Sequence, residues 1–163
     1  MILDGVKQII GLSICSSESG VMFFSKSCEY AIKVMIYLGQ NEQIGRLTGV
    51  KEIASQIKSP EAFTAKILQQ LVRHNLLDSV RGPKGGFQMK YSKKTITLAN
   101  VVIAIDGDGM LKNCVLGLDV CSNEHPCAVH HQFVALRNQF TNVLEDTSVV
   151  DVVNHLAKMK APN

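Results

Sequence analysis

Four residues between positions 114 and 130 concentrate the reactive chemistry of this sequence: Cys114, Cys121, Cys127 and His130, spaced C-x6-C-x5-C-x2-H. Three soft thiolate donors and an imidazole within 17 residues can converge on one metal centre. Pro126 and Cys127 read as the start of a long helix, where positive partial charge lowers the cost of ionising a thiol. No paired C-x-x-C accompanies them, so spacing alone leaves zinc, a redox thiol switch and a plain cysteine-rich loop open. In a reducing compartment, three of five cysteines crowded into one loop favour a metal or redox role over disulfides. A thiol redox enzyme ranks last, because no general base, nucleotide loop or Gly-rich phosphate motif stands beside the thiols, and the chain is expected not to be an enzyme. His125 and His131 are neighbouring imidazoles that read as surface residues.

A second constellation is basic. From Leu76 to Tyr91, two short apolar-alternating runs flank Arg81-Gly82-Pro83-Lys84-Gly85-Gly86, the pattern of a β-hairpin with a flexible, cationic tip. Glycines let a backbone approach a sugar-phosphate ridge, and Arg81 and Lys84 place charge where a narrow minor groove would lie. This is the composition of a DNA-binding wing.

The elements needed to position these groups are mostly helical. Apolar residues Tyr30, Ala31, Val34, Met35 and Leu38 predict a first helix over Ser25 to Gln40, with Cys28 a half-buried thiol and Glu29 a solvated carboxylate in its first turns. A short helix over Val50 to Ile57 follows, and then a strong helix start, with Ser59 as the cap, Pro60 at the first position and Glu61 in the first turn. That helix runs to His74 with Thr64, Ile67, Leu68 and Leu71 inward, and Ala62, Ala65 and Lys66 outward at its start. Helix, helix, recognition helix and wing form a winged helix-turn-helix, whose third helix faces the major groove. Beyond it, residues 96 to 107 read as a strand end and a helix stopped by Gly107. The helix from Pro126 to Leu144 carries Val129, Phe133, Leu136, Phe140 and Val143 at coiled-coil-like spacing, and a last helix capped at Thr147-Ser148 ends near Met159. The expected class is mainly α with a small β-hairpin wing and a long dimerisation helix.

Charge divides the same way. The net +3 of the 163 residues conceals +7 over residues 22–100, −3 over 101–163 and −1 over 1–21. A polyanion partner is therefore expected for the front lobe alone. Three parts follow: a leader over 1–21 without clear period, a winged domain over 22–95, and a sensor loop with dimerisation helices over 96–163. No apolar run is long enough to span a bilayer, and Asp4 spoils the first residues as a signal peptide, so no membrane partner and a cytoplasmic location are expected.

Ser25-Lys26-Ser27-Cys28-Glu29-Tyr30-Ala31, the Ile53-Ala54 helix, Ser59 to Phe63 and above all Ser79 to Phe87 resemble the bacterial Rrf2 (Rrf-two) regulators, across residues 22 to about 155. The resemblance implies a homodimeric repressor or activator that binds a double-stranded DNA operator, with Arg81 in the minor groove, Lys84 beside it, and Ser59, Ala62, Ala65 and Lys66 at the major groove. It also implies an iron-sulfur cluster of the [2Fe-2S] type on Cys114, Cys121 and Cys127, with His130 as fourth ligand. Nitric-oxide-sensing members use a helix-one carboxylate of the partner subunit instead, at the position matching Glu29. The signal would be redox state, iron-sulfur status or nitric oxide. The alternative is a clusterless or zinc-bearing regulator that senses a small molecule or thiol state.

Overall fold

The computed structural model describes residues 23–41, 46–90 and 96–159. The leader, Met22, Tyr91 and the end of the chain lie outside the described residues. Helix α1 (Lys26–Asn41) is the central post. Cys28, Ala31, Val34, Met35 and Leu38 recur at three- and four-residue steps, so one stripe of the helix is buried, and Tyr37 beside it is buried too. Its first turn is held by Ser25, whose hydroxyl accepts from the Cys28 N–H at 3.1 Å.

Helix α2 (Val50–Ile57) ends with Lys58 in the left-handed region, and the Ser59 N–H donates to the Ala54 carbonyl at 2.9 Å. That closure turns the chain directly into α3 (Glu61–Arg73). Ser59 is not the cap its sequence position leads one to expect. Pro60 occupies the cap position, no side chain caps the helix, and the Ser59 hydroxyl is shielded from solvent without a partner among the described residues. Pro60 supplies a carbonyl instead, which accepts from both the N–H and the hydroxyl of the buried Thr64.

Strands β1 (Leu77–Val80) and β2 (Gly86–Met89) pair antiparallel, with Leu77 opposite Met89 and Val80 opposite Gly86. Thr48 adds a third edge by exchanging two 2.9 Å backbone bonds with Phe87. A Cβ at Gly86 would lie 2.7 Å from the Thr48 carbonyl oxygen, so only glycine allows this approach. Leu77 and Met89 bury the open end of the hairpin, Thr48 holds β2 close to the turn, and residues 81–84 stay exposed beyond it.

Helix α4 (Leu98–Asp106) starts with a reciprocal Thr97–Asn100 cap and stops at Gly107, whose φ is 77°. After α5 (Gly109–Lys112) and the cysteine loop come α6 (His130–Asp146) and α7 (Val149–Lys158), the latter opened by a reciprocal Ser148–Asp151 cap. Thr97 and Ser148 bridge, so the starts of α4 and α7 are fastened together.

The long helix starts at His130 and not at Pro126. Its flanking Val129 offers no capping side chain, and residues before it form a turn in which the His130 N–H donates to the Cys127 carbonyl at 3.0 Å. Phe140 also departs from the expected seam, since its ring packs against Phe24 at 6.0 Å and Phe23 at 5.9 Å. Phe133, Leu136 and Val143 stay exposed.

One core gathers α1, α2, α3 and the wing base with Val101, Ala104 and Val149 from the later helices. A second, smaller one joins Cys28, Ala99, Val102 and Leu144. Burial pushes the Cys28 thiol up to about 12, so it behaves as a small apolar side chain. No helix among the described residues is long and apolar enough to cross a membrane.

Candidate metal centre and nucleic-acid interface

The entrance of the cysteine loop is held by groups whose spacing in the sequence does not mark them out. Before it, Asp108 and Lys112 pair at 2.6 Å across α5. Arg137, two turns into α6, donates from one guanidinium nitrogen to the carbonyls of Lys112 and Asn113 at 3.0 and 2.7 Å. Inside the loop the backbone folds through tight turns, with the Gly117 N–H on the Cys114 carbonyl at 2.9 Å and the Cys121 N–H on the Leu118 carbonyl at 3.1 Å. Gly117 takes a φ of 67° to allow the first of these.

These turns bring Cys114, Cys121 and Cys127 together, with their sulfurs all within 4.8 Å of one another. The Cys114 and Cys127 sulfurs are 3.9 Å apart. Two thiolates on one tetrahedral metal, with bonds of about 2.3 Å, sit about 3.8 Å apart, so this pair has the spacing of two ligands of one ion. His130 touches this group only at Cys121, its Nδ1 lying 3.1 Å from that sulfur, and its ring nitrogens do not fall within 4.8 Å of all three sulfurs. Its other nitrogen, Nε2, is 3.0 Å from the Asn123 side-chain oxygen. The donor set is soft and partly shielded, and it fits a metal or iron-sulfur centre.

Electrostatics single out one thiol. Backbone N–H groups of Leu118 and Leu116 lower Cys114 to about 7, so it carries substantial thiolate at neutral pH. Cys121 is favoured as thiolate by the Cys127 backbone, but desolvation and the sulfurs of Cys127 and Cys114 outweigh that and raise it. Cys127 precedes α6 by a turn and does not stand in its first turn.

Glu29 stands outside the sulfur group within one chain. It pairs with Lys26 at 3.0 Å across one turn of α1. His125 folds back through its N–H onto the Ser122 hydroxyl at 3.1 Å and His131 stacks edge-on to His130, neither entering the sulfur group.

On the opposite side of the chemistry, α3 exposes Ala62, Lys66 and Gln69, with Ala65 half-buried between them. A groove of about 250 Å³ runs between α3 and the start of α1, lined by Ser27, Lys66, Gln70 and Arg73 among others. At the wing tip Arg81 and Lys84 are exposed, and the Gly85 N–H closes the turn on the Gly82 carbonyl at 2.9 Å. Among the described residues no carboxylate pairs with Lys66, Arg73, Arg81 or Lys84. Unpaired cations on one helix face and one hairpin tip are free to neutralise phosphates.

Comparison with known proteins gives a consistent set of relatives. A family profile described as "Rrf2: Iron-dependent Transcriptional regulator" matches residues 24–155. The chain is 32% identical over 135 residues to an Aquifex aeolicus protein named, without closer assignment, as an HTH-type transcriptional regulator, covering 82% of this chain and 92% of that one. It is 24% identical to the HTH-type transcriptional regulator NsrR of Oceanobacillus iheyensis, over 86% of this chain and 95% of the relative. Among solved structures, IscR of T. potens superposes with a TM-score of 0.70 at 16% identity, over 88% of this chain and 94% of that one. CymR, the global cysteine regulator of B. subtilis, superposes at 0.67 with 21% identity, over 83% and 98%. At these identities the superpositions establish the winged-helix fold.

Proposed function

Since the chain belongs to the Rrf2 family of transcriptional regulators, we propose that it is a homodimeric operator-binding regulator whose DNA affinity is set by a [2Fe-2S] centre on Cys114, Cys121, Cys127 and His130. The convergence of three sulfurs within 4.8 Å carries this reading. Such a centre, when bound, supplies a group that oxidants or nitric oxide alter, and its ligands are thiolates and a neutral imidazole.

What the chain does with that group follows from its own contacts. Arg137 fastens the loop entrance to α6, and Asp106, at the end of α4, accepts from the Ser25 N–H at the start of α1. Rearranging the loop therefore pulls on α6 and on the first turn of α1, which borders the groove beside α3. A coupling of about 1–3 kcal/mol through such contacts changes operator affinity roughly 5- to 150-fold. At the DNA, Lys66 and the α3 start meet the major groove, Arg81 enters the minor groove, and Lys84 meets phosphate. Exposed Phe133, Leu136 and Val143 form the intersubunit face of α6.

A second reading has one observation in its favour. Three sulfurs this close, with an imidazole in contact, also suit a single tetrahedral zinc ion. Selecting duplexes from a random pool with anaerobically loaded protein, then measuring affinity for the selected site with and without the centre at one salt concentration, tests the proposal. Affinity that changes at least fivefold when the centre is removed supports it, and equal affinity rejects it.

A further inference from the structure

His130 is contacted at both ring nitrogens, and the two contacts are chemically unequal. Nδ1 faces the Cys121 sulfur at 3.1 Å, and Nε2 faces the Asn123 side-chain oxygen at 3.0 Å. A neutral imidazole carries one N–H, and a carbonyl oxygen can only accept. The proton therefore belongs on Nε2, donated to Asn123, which leaves Nδ1 bare on the side of the sulfurs. A ligating histidine commonly donates its second N–H in this manner, and the acceptor fixes both ring orientation and tautomer.

We propose that Asn123 is the positioning residue of the centre, holding His130 in the Nε2–H form so that it ligates through Nδ1 beside Cys121. The proposal rests on the metal-centre reading above and adds to it the nitrogen that binds and the residue that selects it. Loop geometry makes the role local. Asn123 lies inside the turn that directly follows Cys121, closed by the Ser122 N–H donating to the His125 carbonyl at 3.2 Å, so its side chain is carried by backbone fixed immediately next to the Cys121 sulfur.

The test uses full-length protein labelled with 15N-histidine. In the metal-free protein, long-range proton–nitrogen NMR reads the His130 tautomer, assigned by the loss of its signals in His130→Gln. Wild type is expected in the Nε2–H form, Asn123→Asp is expected to keep it, and Asn123→Leu is expected to shift it to a mixture or to Nδ1–H. After anaerobic loading with iron and sulfide, the reduced centre of wild type and Asn123→Asp should show strong coupling to one histidine 15N, and Asn123→Leu should lose it. Unchanged circular dichroism verifies that the leucine variant is folded, and Asn123→Ser serves as a second variant if it is not.

A wild-type Nδ1–H tautomer overturns the proposal, because the amide would then be donating to Nε2. So does a leucine variant whose tautomer and nitrogen coupling match wild type. Wild-type protein that shows the expected tautomer yet takes up neither iron and sulfide nor zinc overturns the metal-centre reading, and reduces Asn123 to a hydrogen bond of the fold.

Discussion

Asp106, the last residue of α4, accepts a hydrogen bond from the Ser25 N–H at 2.9 Å and a second from the Ser25 hydroxyl. A carboxylate is poorly placed at the end of its own helix, where partial charge is negative. It is well placed at the start of α1, where N–H groups are unpaired and partial charge is positive. The contact thus joins the helix leading into the cysteine loop to the helix beside α3. Asp106→Ala is expected to lower stability by about 1–2 kcal/mol in urea unfolding. The same substitution should also shrink the difference in operator affinity between loaded and metal-free protein, and an undiminished difference would remove this contact from the coupling route.

The wing separates two kinds of DNA contact. Arg81→Ala is expected to weaken operator binding by about 1–3 kcal/mol, and Lys84→Ala to reduce the salt slope by about 1. Both side chains are exposed, so melting temperatures should not move. Binding isotherms across a salt series measure both effects, and unaltered affinity in both variants would exclude the wing from the interface.

For assembly, the informative position is Leu136, 57% exposed on α6. Leu136→Asp should give a folded monomer in sedimentation if the proposed dimer forms through this face of α6, because it would bury a charge there. Phe140→Asp should instead unfold the chain, since that ring is packed against Phe24. A wild-type monomer at micromolar concentration would contradict the dimer.

Thiol reactivity in the metal-free protein follows from the Cys114 value of about 7. Alkylation requires the thiolate, so its rate at Cys114 should rise as pH increases through about 7 and level off above it, ahead of Cys121, which is raised. Cys28, pushed up to about 12 by burial, should react only on unfolding. Peptide mass spectrometry after timed alkylation distinguishes the three, and Cys121 reacting first would contradict the loop electrostatics.

Several of these features are legible in the sequence because their causes are local. The wing tip follows from the turn chemistry of Gly82, Pro83, Gly85 and Gly86, and the α7 cap from a serine three residues before an acid. Non-local causes left no such mark. Thr48 pairs across the fold with Phe87 as a single residue, too short for any strand period. Arg137 reaches back 25 residues to the Lys112 carbonyl, and nothing in its neighbours announces that. Heptad spacing grouped Phe140 with Leu136, but spacing is blind to Phe23 and Phe24 arriving from the other end of the chain. Proline at 126 gave a helix-start signal that the turn from Cys127 to His130 overrides.

Whether the 114–130 loop holds the proposed iron-sulfur centre is read from the visible absorption spectrum of anaerobically purified protein, with iron, inorganic sulfide and zinc measured on the same sample. Such a centre gives charge-transfer bands with iron and sulfide in equal amounts, lost in each of Cys114→Ala, Cys121→Ala and Cys127→Ala. Protein that stays colourless after reconstitution with iron and sulfide, while retaining zinc or no metal, would contradict it.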